Sequence, residues 1–303
     1  MISVVIPHYK GKVKLYENLK HNLPFLEGCE VIVVNDYPEV PLAEEMKDLF
    51  PQAHVIENKN NLGFAGAVSV GIKSAKYQYV LLLNNDVLLH DDSYKNALSH
   101  FQKEKMLFAV SFRQLEKDKL YVGRNKIIWK NGFLQHAKAD SLTSGVNGWA
   151  EGGSMLFDKI KYNEINGFDT LYSPFYWEDV DLSYRAWKAG YSILFDSGIT
   201  VQHHHESTIT NHFNAPHIKT ISYRNQFITI WKNISDGKLI FEHLLRLLIN
   251  LITRPLKGDK EFISGFWMAA QLSREIMEKR NRQKKTWKRS DREIFGMFND
   301  NYQ

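Results

Sequence analysis

The sequence predicts an α/β protein with a mostly parallel sheet flanked by helices and a helical extension at its C-terminal end. Three observations carry that expectation. Short β-branched runs alternate with helical periodicity four times between Ile2 and Leu83, the pattern of consecutive βαβ units. The run Tyr79-Val80-Leu81-Leu82-Leu83 is unbroken, as expected of a strand buried on both faces. From about Ala215 the composition shifts to long amphipathic stretches rich in leucine and isoleucine.

In order, Ile2 to Ile6 is a first strand ended by Pro7, and Leu15, Leu19, Leu23 and Leu26 give the next segment a helical face. Glu30 to Val34 is a second strand, closed by the turn residues Asn35-Asp36-Tyr37-Pro38. A helix over Leu42 to Phe50 leads to a third strand, Ala53 to Glu57. Asn60 to Ala67 then opens a helix reaching about Ala75. Its glycines, Gly63, Gly66 and Gly71, do not form G-x-G-x-x-G, so a dinucleotide fingerprint is absent. A helix is expected from Ser93 to Lys103, then loops and mixed strands up to about Asp140. Gly148 to Phe157 ends as a strand, and Asp158 caps a short helix stopped before Gly167. Glu178, Asp179 and Asp181 open a helix that halts at Gly190. Ser192 to Phe195 and Ile199 to Val201 read as two short strands, the second running into His203-His204-His205.

Composition narrows the class further. The chain has 303 residues, enough for a substantial core, and its apolar and charged fractions are those of a globular protein. A lone cysteine, Cys29, excludes an internal disulfide framework and suits a reducing cytoplasm. The opening Met1 to Pro7 reads as a strand, so no signal peptide is expected. Between Arg274 and Arg292 there are nine Lys or Arg against three Asp or Glu. That segment therefore carries +6 of the formal +5, and the rest of the chain about −1. No recognition module accompanies the basic tail, so nucleic acid is not an expected partner. In the leucine-rich stretch 239–256, Glu242, Arg246 and Asn250 recur every four residues. It is therefore a core or interfacial helix rather than a membrane span.

The chemistry-bearing residues cluster at strand ends, where open α/β sheets bind ligands. Asn84-Asn85-Asp86 follows the Tyr79 strand and offers oxygen to a hard cation such as Mg²⁺. Three carboxylates in one helix turn exceed what capping requires, and three consecutive histidines cannot all be buried.

Together these motifs resemble the family 2 glycosyltransferases. The resemblance rests on Ser3-Val4-Val5-Ile6-Pro7, Val33-Val34-Asn35-Asp36, Asn61-Leu62-Gly63-Phe64-Ala65-Gly66, Leu83-Asn84-Asn85-Asp86, Gly167-Phe168-Asp169, Trp177-Glu178-Asp179-Val180-Asp181-Leu182 with Arg185, and Val201 with His203. It covers about residues 1 to 215 and is most like the bacterial rhamnosyltransferase and galactofuranosyltransferase type.

The resemblance implies a GT-A fold, a nucleoside-diphosphate-sugar donor, a divalent metal (Mn²⁺ or Mg²⁺) and inversion at the anomeric carbon. It implies a catalytic domain over 1–215, with a nucleotide-sugar half to about 105 and an acceptor half from about 106. Residues 216–303 then form a helical C-terminal region. By position, Asp179 matches the general base, Asp86 with His203 the metal ligands, and His204 or His205 compete for the histidine's place. Donor contacts are implied for Pro7, Tyr9, Asn35, Asp36, Asn61, Gly63, Asn84, Asn85 and Asp86. Glu151, Gly152, Gly153, Trp177 and Glu178 are implied on the acceptor side. The acceptor expected is a glycan or lipid-linked glycan of a surface polysaccharide such as an O-antigen. The chain is expected in the cytoplasm, peripherally on the inner face of the cell membrane, with a homo-oligomer left open.

Three departures matter. The first position of the metal motif is Asn84, Tyr37-Pro38 replaces the family's usual small residues after the nucleobase pair, and Ser69 stands where relatives often carry Asn. The rival readings are a sugar nucleotidyltransferase and an inactive sugar-nucleotide-binding subunit. The first would want a Gly-rich, basic loop after the first strand, which Pro7-His8-Tyr9-Lys10-Gly11 does not supply.

Overall fold

The computed structural model describes residues 1–203 and 213–298. Its first half alternates as the sequence predicts. The strands are Ile2–His8 (β1), Glu30–Asn35 (β2), Ala53–Glu57 (β3) and Tyr79–Leu83 (β4), with helices Lys12–Asn22 (α1), Ala43–Leu49 (α2) and Gly63–Ser74 (α3) between them. β1 lies between β2 and β4 and is parallel to both, and β3 pairs parallel with β2. Pro7 does not end β1. It lies opposite Val34 one residue before the strand's end, where a missing N–H costs little of the ladder.

The strands feed two cores by simple alternation. Val5, Ile32, Val34, Val80 and Leu82 face one side of the sheet. Val4, Ile6, Val31, Val33, Leu81 and Leu83 face the other. Successive side chains on a strand point to opposite faces, so a run apolar at every position must be covered on both.

After β4 a tight turn returns the chain as Val87–Leu89 (β5). The expected helix from Ser93 begins as a 3₁₀ turn and becomes α-helical only over Leu98–Lys103 (α4). The irregular stretch is more ordered than its composition implies. Leu107–Leu115 (β6) is buried at nearly every position. Tyr121–Val122 (β7) pairs with β6, and Asn125–Lys130 (β8) with Phe133–Lys138 (β9) makes a separate hairpin. Gly145–Val146 (β10) and Ser154–Asp158 (β11) follow, then Lys159–Glu164 (α5), capped by Asp158 as predicted. Glu178–Lys188 (α6) leads to Ser192–His203 (β12), one strand with an irregularity at 196–200 where two were expected. The bulge masks its continuity in the sequence. β11 runs antiparallel between β4 and β6, and β12 lies parallel to β6.

The C-terminal region is Ala215–Asn233 (α7), Gly237–Leu256 (α8), Lys260–Gln271 (α9), Ser273–Gln283 (α10) and Asp291–Gly296 (α11). It shares a core with the sheet, since Phe133 of the hairpin, Phe227 of α7 and Phe262 of α9 meet with ring centroids 5.2–6.0 Å apart. A buried ionic network fastens the same join. Lys232 of α7 is fully buried between Asp169 (2.6 Å) and Asp181 (2.9 Å), and Asp181 also accepts from Arg185 at 2.8 Å.

Candidate active site

Three strand ends and the first turn of α6 build the site. Backbone register sets the first contact. His203 stands opposite Val87 in the β12–β5 pairing, so Asp86, one residue earlier, falls beside it. His203 Nε2 is 3.3 Å from Asp86 Oδ1. Register sets the second contact as well. Leu83 pairs with Ser154, which draws the preceding glycines over the end of β4, and Asn84 N–H donates to the Gly153 carbonyl at 2.9 Å.

Gly152 and Gly153 join the two halves of the site. A Cβ on Gly153 would sit 3.1 Å from Asn84 Nδ2 and 3.5 Å from His203 Cε1. One on Gly152 would meet the Phe64 ring at 3.2 Å and Asp179 Cβ at 3.6 Å. A side chain at either position would crowd these neighbours, and the Gly152 N–H donates to Asp179 Oδ2 at 3.3 Å. His203 and Asp179 thus flank one dipeptide, and Asp86, 117 positions before His203 in the chain, lies against that histidine. His204 and His205 lie outside the described residues.

The electrostatics differ among the acidic residues of α6. Glu178 and Asp179 are only partly open to solvent. Burial, with the neighbouring Asp179 charge, pushes the Glu178 carboxyl up to about 8, and its Oε2 has no hydrogen-bond partner. Burial raises Asp179 too, opposed by N–H groups of Gly152 and Val180. Asp181 goes the other way. Although it is buried, Arg185 and Lys232 hold it below the usual carboxylate range.

The turn before α6 is strained. Tyr176 and Trp177 both have positive φ, 72° and 73°, a conformation that costs non-glycine residues on the order of 1–3 kcal/mol each. Asn225 of α7 holds it, its amide lying 2.8–3.0 Å from the carbonyls of Tyr172, Phe175 and Tyr176. Nothing in the sequence marks Asn225, which is one polar position on an amphipathic helix. Trp177 is nearly buried, with its indole N–H toward Ser222 and its ring edge-on to His136.

The remaining predicted residues collect at the ends of β1 and β2. Asn35 is fully engaged, donating to Glu57 and the Val40 carbonyl and accepting from Tyr37 N–H. Asp36 Oδ1 accepts from Asn58 and from Leu62 N–H. Asn61 caps Gly63 at 2.8 Å. Asn85 touches His8, whose burial lowers it to about 4 and keeps it neutral. Tyr9 packs edge-on against Tyr37, with the Lys10 ammonium 5.2 Å from the first ring and 5.4 Å from the second. Glu151 turns both carboxylate oxygens into the protein, toward Gln114 and Asn125, rather than toward an acceptor.

A divalent cation fits these residues. Asp86 Oδ1 and Asn84 Oδ1 are buried without hydrogen bonds, a costly state that a bound group would relieve. Among the described residues no three His, Cys, Asp or Glu side chains cluster tightly enough to hold an ion by themselves. Asp86 and His203 are the side chains that would hold such an ion.

Comparison with known proteins agrees with this architecture. The poly-beta-1,6-N-acetyl-D-glucosamine synthase of Staphylococcus epidermidis is 26% identical over 171 residues, 55% of this chain and 40% of that protein. A glycosyltransferase of Rickettsia bellii is 27% identical over 220 residues, 67% of this chain and 29% of that one. The chain spans less than half the length of these curated relatives. Among solved structures, GalNAc-T7 with UDP, GalNAc and Mn²⁺ superposes with a TM-score of 0.57 at 15% identity, over 76% of this chain and 47% of that one. The mannosyltransferase PcManGT from Pyrobaculum calidifontis, in complex with GDP-Man and Mn²⁺, gives 0.52 at 12% identity over 90% and 74%. The fold is GT-A. Residues 3–162, more than half of the sequence, match the model of "Glycosyl transferase family 2", and the chain belongs to that family.

Proposed function

We propose that this protein is a metal-dependent, inverting glycosyltransferase. It moves a sugar from a nucleoside-diphosphate sugar to a hydroxyl of a glycan or lipid-linked glycan in surface-polysaccharide synthesis. The observation that carries this reading is that His203, paired with Asp86, and Asp179 lie on either side of Gly152–Gly153. Asp86 and His203 would hold Mn²⁺ or Mg²⁺, with Asn84 beside them. A bound ion would supply positive charge against the leaving diphosphate.

The chain's own residues do the rest. Asp179 accepts the acceptor hydroxyl's proton as that oxygen bonds to the anomeric carbon. The bond to the diphosphate breaks with its electron pair, and the nucleoside diphosphate leaves. Glu178, pushed up to about 8, stays largely protonated near neutral pH, which leaves Asp179 as the ionised carboxylate of the pair. The nucleobase belongs beside Tyr9, Tyr37 and Asp36 at the ends of β1 and β2. Pro7, Asn35, Asn61, Gly63 and Asn85 shape the backbone around it. Trp177 and Glu178 border the acceptor. Residues 1–215 form the catalytic unit, and the helices beyond brace it.

A panel of nucleotide sugars in a thermal-shift assay tests this reading. One donor class should raise the melting temperature only with Mn²⁺ present, the stabilisation reaching about 2.7 kcal/mol at a hundredfold excess over Kd. Stabilisation by a nucleoside triphosphate with a sugar phosphate instead would favour a nucleotidyltransferase.

Membrane contact is part of the same proposal. No described helix is long and apolar enough to cross a membrane. Yet α8 presents Phe241, Leu244, Leu245, Leu248, Ile252 and Leu256 to solvent at helical spacing, between 51% and 83% exposed. Exposed Lys238, Arg246 and Lys257 accompany them, and the one acidic residue of α8, Glu242, is engaged by Trp129. A second copy on this stripe would bring like charges together across a two-fold axis, whereas an anionic bilayer would neutralise them. Leu248→Glu with Ile252→Glu should abolish co-flotation with phosphatidylglycerol vesicles. Wild-type protein that never floats with them would remove the membrane from the reading.

A further inference from the structure

Behind His203 a line of buried polar groups runs into the protein, away from Asp86. Asn125 donates its amide to the Gly123 carbonyl at 3.2 Å and to Glu151 Oε1 at 2.9 Å. Glu151 Oε2 accepts from the Gln114 amide. Gln114 Oε1 lies 2.7 Å from His203 Nδ1. Gln114 is fully buried near the end of β6, and Asn125 is 5% exposed.

Each link fixes the next. A carbonyl can only accept, so Asn125 must turn its NH₂ toward Gly123 and Glu151. Burial and the nearby Asp179 charge raise the Glu151 carboxyl, opposed by the Asn125 and Gln114 amides. In its ionised form Glu151 can only accept, and Gln114 then turns its NH₂ toward it. That leaves the Gln114 oxygen facing His203, and an oxygen there requires the proton on Nδ1. Nε2 then presents its lone pair toward Asp86 Oδ1, 3.3 Å away. In the neutral imidazole these two lone pairs face each other, a contact that a bound cation would relieve, as would a proton on Nε2.

We propose that Gln114 and Glu151 are positioning residues. They impose on His203 the one tautomer whose Nε2 can ligate a metal. This rests on the metal-dependent reading above and goes beyond it. It assigns Glu151 a task behind the histidine and gives Gln114, which no motif marks, a part in the site. Groups that orient a ligating histidine through its second nitrogen commonly affect metal affinity by 10- to 100-fold.

The test is an exchange of the two side chains in the full chain. In Glu151→Gln the new amide lets Gln114 flip, put its NH₂ against Nδ1 and drive the proton onto Nε2. In Gln114→Glu two carboxylates face each other. Either single variant should bind Mn²⁺ 10- to 100-fold more weakly than wild type, read from the free-ion EPR signal with Mn²⁺ alone as the probe. The double variant Gln114→Glu/Glu151→Gln rebuilds every link with the same charge, and its Mn²⁺ affinity should return to within about threefold of wild type. A merely structural polar cluster would show the same defect in thermal melting as in Mn²⁺ binding. The relay predicts a binding defect in single variants that still melt as cooperatively as wild type. Single variants that bind Mn²⁺ like wild type, or a double variant no better than the singles, overturn the relay and leave the metal reading standing. Wild-type protein that binds no Mn²⁺ overturns both.

Discussion

Asp179→Asn should lower the turnover of sugar transfer by 10²- to 10⁴-fold while leaving donor affinity within a few-fold of wild type. An amide is nearly the same size as a carboxylate but cannot take a proton at neutral pH, and the range is that of a lost general base. The local geometry should survive. Asn Oδ1 can still accept from Val180 N–H, where the carboxylate accepts at 2.8 Å. The cost falls on the longer 3.3 Å contact, where an NH₂ would face Gly152 N–H. Donor titration by calorimetry with Mn²⁺, beside steady-state transfer, separates binding from chemistry. Turnover within tenfold of wild type would move the base elsewhere. The pH profile of the unmodified enzyme carries the same signature. Burial raises Asp179, and only its ionised form accepts a proton. The acid limb of kcat/KM should therefore lie above the ordinary aspartate value of about 3.9.

Lys232→Met should destabilise the fold by about 3–5 kcal/mol, a large share of the 5–15 kcal/mol typical of a domain. The lysine ammonium is wholly buried and lies 2.6 Å from Asp169 and 2.9 Å from Asp181. Methionine fills similar volume but leaves both carboxylates short of charge. Lys279 on Asp169 and Arg185 on Asp181 compensate only in part. Denaturant melts at constant m-value should show the lowered midpoint. Acid adds a second signature. Despite burial, which pushes carboxyls up, Lys232 and Lys279 hold Asp169 well below its ordinary value, and Arg185 and Lys232 do the same for Asp181. A carboxyl depressed in the folded state contributes stability above its unfolded pKa, and that contribution is lost as pH falls through the folded value. Wild-type protein should therefore lose stability below about pH 4, and Lys232→Met should lose less, because that contribution is already gone. An unchanged midpoint would mean that the network contributes little.

The alternation of Val4 with Val5, or of Leu81 with Leu82, was legible because strand geometry has a period of two and both faces are apolar. The helix caps at Asp158 and the stop at Gly190 were legible for similarly local reasons. The stretch after Leu107 was not. The pairing of β6 with β11 and β12 depends on partners some 45 to 90 positions later, and its lysines and glycines belong to the hairpin and turns beyond β6.

The same boundary runs through the site. Taken alone, the residues of this chain determined a parallel α/β sheet, the polar strand ends, and a short set of acidic and histidine candidates. Local chemistry and periodicity specify those features without reference to distant partners. Three carboxylates in one turn looked equivalent in the sequence. Tertiary packing decided that Glu178 and Asp179 stay partly open to solvent while Asp181 is neutralised inside by Arg185 and Lys232. It also decided that Glu151 turns inward to Gln114, and that Asn225 holds the turn ahead of Asp179. Those assignments depend on which groups meet in space, and a side chain's charge and proton follow its neighbours rather than its place in the chain.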